Sequence, residues 1–183
     1  RCAMYSPVKL SEVTHATQGL TNRAINLNFF VHDDPVEDAA NATQAMQRLK
    51  GWYDRLDAGQ MPEAKPVHFP FDAGVCEAVL QLSPKVASFH FGLPDQALVA
   101  RLKEQGIVIL SSATTVEEAK WLEQRGVDAV IAQGYEAGGH SGWFLPRGTA
   151  NTAGTMALVP RIVDAVSVPV IAAGAITDGR GIA

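Results

Sequence analysis

An α/β fold built on a parallel sheet is what this sequence predicts, and three observations carry it. Short apolar runs rich in β-branched residues recur at Ala24 to Val31, Val86 to Phe91, Ile107 to Leu110, Asp128 to Ala132 and Val168 to Ala173, each of strand length. Segments with helical spacing lie between them. The pieces Leu102-Lys-Glu-Gln-Gly-Ile-Val and Leu122-Glu-Gln-Arg-Gly-Val-Asp repeat one logic 20 residues apart: a helix end, a capping glycine, then a strand. Alternation of this kind joins parallel strands through crossover helices.

Taken in order, Val36 to Leu56 is apolar at Ala39, Ala42, Met46, Leu49 and Tyr53, close to helical spacing, and is expected to lie on the outside of the sheet. Gly59 to Pro70 holds three prolines and reads as an irregular connector. Asp72 is placed to cap a helix running through Leu82. Pro94 to Gln105 carries Leu98 and Leu102 on one face and stops at Gly106; Val116 to Arg125 starts with a Thr115-x-x-Glu118 capping box and stops at Gly126. Trp143 to Gly154 has no periodicity and is expected to be a loop over the site, with the character of a lid. Thr177 and Asp178 are good caps for a helix starting near Gly179. No linker, low-complexity tract or charge block marks a second domain, so 1–183 reads as one domain.

Composition narrows the function. With 47% hydrophobic and 19% charged residues the chain is an ordinary globular sequence, not a disordered one. A net charge of -4 without a Lys/Arg cluster points away from nucleic acid and anionic membrane surfaces and toward small-molecule partners. The longest apolar stretch, Val168 to Ile176, contains a proline and a glycine and is far short of the ~20 residues that span a bilayer. Cys2 and Cys76 make no disulfide framework and sit at no metal-ligand spacing, which fits a reducing cytoplasm.

Parallel α/β sheets bind ligands at the carboxyl ends of their strands. The residues there are Asn26 and Asn28, His90, Ser111 and Ser112, Gln133 and His140, and Gly174. The densest signal is Gln133-Gly-Tyr-Glu-Ala-Gly-Gly-His-Ser-Gly142, with four glycines in the nine residues that follow Gln133. Glycines without Cβ atoms let a flat ring or a phosphate approach backbone N–H groups. His140 and Glu136 lie inside this run. An imidazole can abstract a proton or stabilise an anion near neutral pH, which makes His140 the catalytic candidate. Glu136 is given a supporting role, accepting backbone N–H bonds. A metal pair of Glu136 and His140 is disfavoured because Gly138-Gly139 breaks the helix that would bring them together, and no metal site is expected.

Gln133 has two uses, the edge of a ligand ring or the backbone of its own loop, and Asn28 has the same two. His90 either faces the mouth of the site or packs. Gly174, followed by Thr177 and Asp178, offers exposed N–H groups of the kind that attract phosphate; Asp178 should point away from it.

The run Ala-Gln-Gly-Tyr-Glu-Ala-Gly-Gly-His-Ser-Gly, followed by Pro169-Val-Ile-Ala-Ala-Gly-Ala-Ile-Thr-Asp-Gly-Arg-Gly-Ile-Ala183, resembles the nitronate monooxygenases, formerly 2-nitropropane dioxygenases. Asn26-Leu-Asn-Phe-Phe30, Ser88-Phe-His-Phe-Gly92 and Ala113-Thr-Thr-Val-Glu-Glu-Ala119 extend the likeness over nearly the whole chain. The resemblance implies a TIM (β/α)8-type barrel, FMN as cofactor, and oxidation of alkyl nitronates or nitroalkanes with O2. It implies His140 as the active-site histidine and tips Asn28 toward flavin contact. Gln133, Gly138, Gly139, Gly174 and Ala175 become the remaining cofactor-binding candidates, the glycines and Ala175 around the FMN phosphate. The family usually has Gly-Gly where this chain has Gly174-Ala175.

Two alternatives stay open. Relatives with a similar Glu-Ala-Gly-Gly-His loop include FMN- and NADH-dependent enoyl or quinone reductases, and a barrel fragment without turnover is the third reading. No Gly-x-Gly-x-x-Gly fingerprint points to a bound nicotinamide. Five strands are fewer than the eight a barrel closes with. An incomplete barrel is therefore expected, with two strands before Arg1, one after Ala183, and a longer protein around them.

Overall fold

The computed structural model describes residues 2–3, 5–32, 38–62, 70–146 and 153–182. The chain divides into two compact units, one formed by 1–32 and 68–183 and the other by 33–67. In chain order the elements are α1 (Pro7–Gln18), β1 (Asn26–Phe30), α2 (Ala39–Leu56), α3 (Ala73–Leu82), β2 (Val86–His90), α4 (Gln96–Glu104), β3 (Val108–Ala113), α5 (Val116–Gln124), β4 (Ala129–Gln133), α6 (Thr155–Val163) and β5 (Val170–Ala173). A short 3-10 turn, Gly179–Gly181, follows.

The five strands lie side by side in sequence order and every pair is parallel. Each connection therefore crosses from the carboxyl end of one strand to the amino end of the next. This is the winding of a TIM (β/α)8-type barrel, five strands of it, as the alternation and the resemblance lead one to expect. α4 and α5 pack on β3, α5 and α6 on β4, and α6 on β5, while α3 lies beside α1 and α4.

The period of two along each strand separates two faces. Leu27, Phe29, Ala87, Phe89, Ile109, Val130 and Ala132 form the buried face under the helices. Phe71 joins them, edge-on to Phe29 and Phe89 at centroid distances of 5.0 and 5.1 Å. The register aligns Asn28, Ser88, Leu110 and Ala129 on the opposite face. That face is less covered: Val108 and Ile171 remain 41% and 44% exposed.

The repeated glycine logic holds in detail. Gly106 and Gly126 adopt φ of +73° and +83° directly after α4 and α5, and the next N–H reaches back, Ile107 to Leu102 O at 3.2 Å and Val127 to Leu122 O at 3.4 Å. Asp72 caps α3 through Val75 N–H at 2.8 Å. The capping box on α5 forms only in half. Thr115 Oγ1 accepts from Glu118 N–H at 3.1 Å, but the Glu118 carboxylate turns away to other donors.

Two helices escape the sequence patterns. α1 is opened by Ser6, which accepts from Lys9 N–H, with Pro7 in the first turn, yet only Leu10 and Thr14 of it are buried. α6 carries Pro160 in its interior, a residue that removes a helical N–H and so reads as a stop. Leu158 and Ile162, buried on the sheet, hold it together.

In the smaller unit α2 is capped by Asp38, which accepts from Asn41 N–H at 2.9 Å. None of its residues is buried. Residues 63–69 of the proline-rich connector and 147–152 of the expected lid lie outside the described residues, as do 36 and 37 at the start of the expected helix.

Candidate functional site

The carboxyl ends of β2, β3 and β4 meet around the segment that follows β4. His90 ends β2, Ser112 lies near the end of β3, and Gln133 ends β4. His90 Nδ1 lies 3.1 Å from Ser112 Oγ and Nε2 lies 2.9 Å from the carbonyl oxygen of His140. A carbonyl only accepts, so Nε2 carries the proton in this bond. Gln133 Nε2 donates to the same carbonyl at 2.8 Å, and Gln133 Oε1 accepts from Gly142 N–H at 2.7 Å. Two strand-end side chains thereby pin the backbone on which His140 is mounted.

The His140 ring itself is exposed and lies edge-on to Phe30 and Phe91, at 5.5 and 6.1 Å between centroids. Phe91 holds φ of +71°, left-handed for a bulky side chain. Such backbone costs on the order of 1–3 kcal/mol and concentrates at ligand sites.

Glycine is required here mainly for closeness. A Cβ on Gly142 would stand 2.5 Å from His90 Cε1, one on Gly154 2.7 Å from Glu136 Oε1, and one on Gly134 would overlap Thr155. Gly138 is the contrast: among the described residues, its own chain neighbours aside, no atom lies within 4 Å of the place its Cβ would take. Its side of the loop is open.

Glu136 has the supporting role given to it. Its Oε2 accepts from Thr155 N–H at 2.9 Å and from Thr155 Oγ1 at 3.1 Å, at the start of a helix whose own N-cap, Gly154, has no side chain to offer. These donors, Thr155 N–H foremost, hold the Glu136 carboxyl below its ordinary range. Asp178 is held low by its side-chain bond to Arg180; Arg180 Nη2 lies 2.5 Å from Asp178 Oδ2.

A cavity of about 270 Å³ opens between these parts, lined by Thr114, Gln133, Gly134, Ala137, Gly139 and Trp143 among others. A second, of about 340 Å³, is lined by Thr155, Met156, Val159, Gly174, Ala175 and Ile176 among others. Gly174 (φ +119°) and Ala175 (φ +59°) both hold left-handed backbone at the end of β5. Of the sequence candidates, Gln133 and Gly139 thus share one cavity with the His140 loop, and Gly174 and Ala175 line the other. Asn28 stands on β1, where its Nδ2 donates to Ser88 Oγ at 3.0 Å; Asn26 Nδ2 does the same at 2.9 Å. Both amides are thus oriented by one hydroxyl with Oδ1 left as acceptor.

Three features of the site are absent from the sequence reading: Phe30 and Phe91 beside His140, Thr155 as the partner of Glu136, and the buried Glu118. The Phe-Phe and His-Phe-Gly runs were the available signal for the first. Nothing local signals the other two.

An all-parallel sheet wound in sequence order, with helices on one face and polar side chains converging at the carboxyl ends of its strands, defines the (β/α)8-barrel class of fold. The chain belongs to the nitronate monooxygenase family, whose model matches residues 2–183. It is 39% identical over 174 residues to the nitronate monooxygenase of Paraburkholderia phytofirmans, covering 94% of this chain and 48% of that protein. Against the nitronate monooxygenase of Pseudomonas aeruginosa the identity is 40% over 167 residues, covering 90% and 48%. Among solved structures, nitroalkane oxidase from Streptomyces ansochromogenes superposes with a TM-score of 0.78 at 30% identity, covering 92% of this chain and 48% of that one. FabK from Thermotoga maritima shares the fold with a TM-score of 0.66 at 22% identity, covering 99% and 43%. The chain spans about half the length of the curated relatives it matches.

Proposed function

We propose that this chain carries the substrate-side histidine and part of the cofactor cradle of an FMN-dependent enzyme that oxidises alkyl nitronates with O2. The observation that carries the reading is the doubly held His140 backbone, which fixes an exposed imidazole at the carboxyl end of the sheet. Preorganised placement of this kind is what proton transfer at a substrate carbon needs.

FMN suits the residues present on two counts. Gly138 leaves open space where a side chain would stand, and Gly174-Ala175 turn in left-handed backbone that exposes N–H groups to an anion. Gly138, Gly139, Gly174 and Ala175 are the proposed phosphate neighbours. Asn28 would meet a flavin edge through Oδ1. Gln133 would do so through the second N–H on Nε2 or the second lone pair on Oε1, since each atom has capacity beyond its loop bond. When bound, FMN supplies the acceptor for the substrate's electrons and their passage to O2.

The residues of this chain do the rest. His140 takes the α-proton of a neutral nitroalkane at a ring nitrogen, or donates a hydrogen bond to a nitro oxygen of a nitronate. His90 and Gln133 keep that ring in place. Phe30 and Phe91 exclude water from one side of it. No described helix is long and apolar enough to cross a membrane, both cysteines are buried free thiols, and we place the protein in the cytoplasm.

Stopped-flow reduction of the full-length purified protein tests the reading. Rapid bleaching of the flavin by an alkyl nitronate is expected. Bleaching by NADH and not by nitronate would replace it with the reductase reading, and a colourless protein would favour a fragment without turnover.

A further inference from the structure

The Glu118 side chain is fully buried, with 1% of the residue exposed, and no described Lys or Arg forms an ion pair with it. A carboxylate in that position is costly unless hydrogen bonds compensate it, and four do. Oε2 accepts from Thr114 N–H at 2.7 Å and from Thr114 Oγ1 at 2.8 Å. Oε1 accepts from Phe144 N–H at 2.9 Å and from Leu145 N–H at 3.3 Å. All four partners are donors, a set that an acceptor-only carboxylate matches and an amide does not.

One of these donor residues, Thr114, lines the cavity that holds Gln133 and Gly139 from the end of β3, and the other two, Phe144 and Leu145, directly follow Trp143, which lines it as well from the segment beyond His140. α5 also seats that segment by packing: the Phe144 ring lies 4.9 Å from Trp121 and covers Gly92, whose Cβ would stand 3.3 Å from Phe144 Cδ2.

We propose that Glu118 is a positioning residue for this site, holding Thr114 and the 143–145 segment at a fixed separation and so setting the width of the space in which a small nitronate is bound. The kinetic consequence rests on the nitronate reading; the structural consequence does not.

Glu118→Gln in the full-length protein tests it. The amide replaces one oxygen by a donor; the remaining oxygen keeps the shorter bonds, those from Thr114 at 2.7 and 2.8 Å, and the new NH2 is set against the Phe144 and Leu145 N–H groups, detaching their segment. Hydrogen exchange resolved at 141–146 should show the Phe144 and Leu145 amides exchanging about tenfold faster or more, the effect of losing a buried charged acceptor, with the β3 and β4 amides unchanged. With a small primary nitronate, KM should rise about tenfold while kcat stays within about threefold, the signature of lost uniform binding. Unchanged exchange at Phe144 and Leu145 would overturn the proposal. So would equal acceleration throughout β3 and β4, which would make Glu118 a residue of general stability. Should Glu118→Gln fail to fold, Thr114→Val removes one donor at constant volume and must accelerate the same two amides; no change there overturns the proposal equally. If the wild-type protein turns over no nitronate but the exchange pattern appears, the functional reading fails and the positioning role stands.

Discussion

Gly142→Ala tests the idea that the His140 loop acts through its exact seating. The new Cβ would stand 2.5 Å from His90 Cε1, 2.7 Å from His90 Nδ1 and 3.1 Å from Gln133 Oε1. Carbon atoms rest at about 3.5–4.0 Å, so the ring and the loop must part by about 1 Å. Two outcomes compete. Keeping the loop in place overpacks the site at about 1–3 kcal/mol. Letting it move breaks the bonds from His90 and Gln133 to the His140 carbonyl and from Gly142 to Gln133, each worth about 0.5–1.5 kcal/mol net. Both routes give a loss of a few kcal/mol in total, small enough for the folded protein to persist. Catalysis should suffer more, since about 1 Å of misplacement costs on the order of 10²-fold in rate. The assay is kcat/KM for an alkyl nitronate beside thermal unfolding and flavin content. A variant that keeps its flavin and loses about 10²-fold is the expected result. Turnover within about threefold of wild type would refute the reasoning, because it would show that His140 works without its backbone held where it is.

His140→Ala should lower turnover by ~10²- to 10⁴-fold, the usual range for one acid or base, with flavin content unchanged; normal kinetics on both nitronate and nitroalkane would remove His140 from the mechanism. Gly138→Leu should expel FMN, and because among the described residues beyond its chain neighbours no atom lies within 4 Å of the Cβ position, a loss of flavin there reports the ligand and not the fold. Stoichiometric FMN in that variant would rule out the close approach. Glu136 is held below its ordinary carboxyl value of 4.5, chiefly by Thr155 N–H. A depressed folded-state value means that its contribution is fully present above the ordinary value and lost as pH falls from there through the folded one. Thermal stability should therefore begin to fall below about pH 4.5, and Glu136→Gln should flatten that slope; identical slopes would show that the carboxylate does not secure α6.

Much of this architecture is legible in the sequence because its signals are local. Five apolar runs predict five strands, with boundaries that shift by at most three residues at either end. Gly106 and Gly126 announce the ends of α4 and α5 through the one backbone conformation that glycine adopts freely. α1 is missed because its helix rests on a Ser6-Pro7 start with little periodicity behind it, and α6 because Pro160 reads as a stop while tertiary packing of Leu158 and Ile162 overrides it. The site divides in the same way. Gln133 and the glycine run are found because a strand end is a place that sequence can name. Their partners are not, since His90 and the His140 carbonyl are 50 residues apart, Glu118 and Phe144 are 26 apart, and Glu136 and Thr155 are 19 apart. Only the path of the folded backbone joins such pairs. The half-formed capping box is instructive: Thr115-x-x-Glu118 correctly marks a helix start, but the carboxylate that should close it serves Thr114, Phe144 and Leu145.

The glycines of the site therefore do different jobs, and this separates a loop built for contact from one built for mobility. At Gly174 a Cβ would stand 2.8 Å from both Ala137 N and Thr155 Oγ1, in backbone of φ +119°. Thr155 is also bonded to Glu136, so an added methyl there would push on the loop and on the start of α6 together. Gly138 has neither the crowding nor a left-handed φ. If the run were merely flexible, alanine at the two positions would cost alike. If the run is packed, Gly138→Ala should change unfolding stability by less than about 0.5 kcal/mol, as for a surface site. Gly174→Ala should cost at least about 2 kcal/mol, from left-handed strain of 1–2 kcal/mol and overpacking of similar size. Chemical denaturation of the two variants decides between these accounts, and equal midpoints would end the packed one.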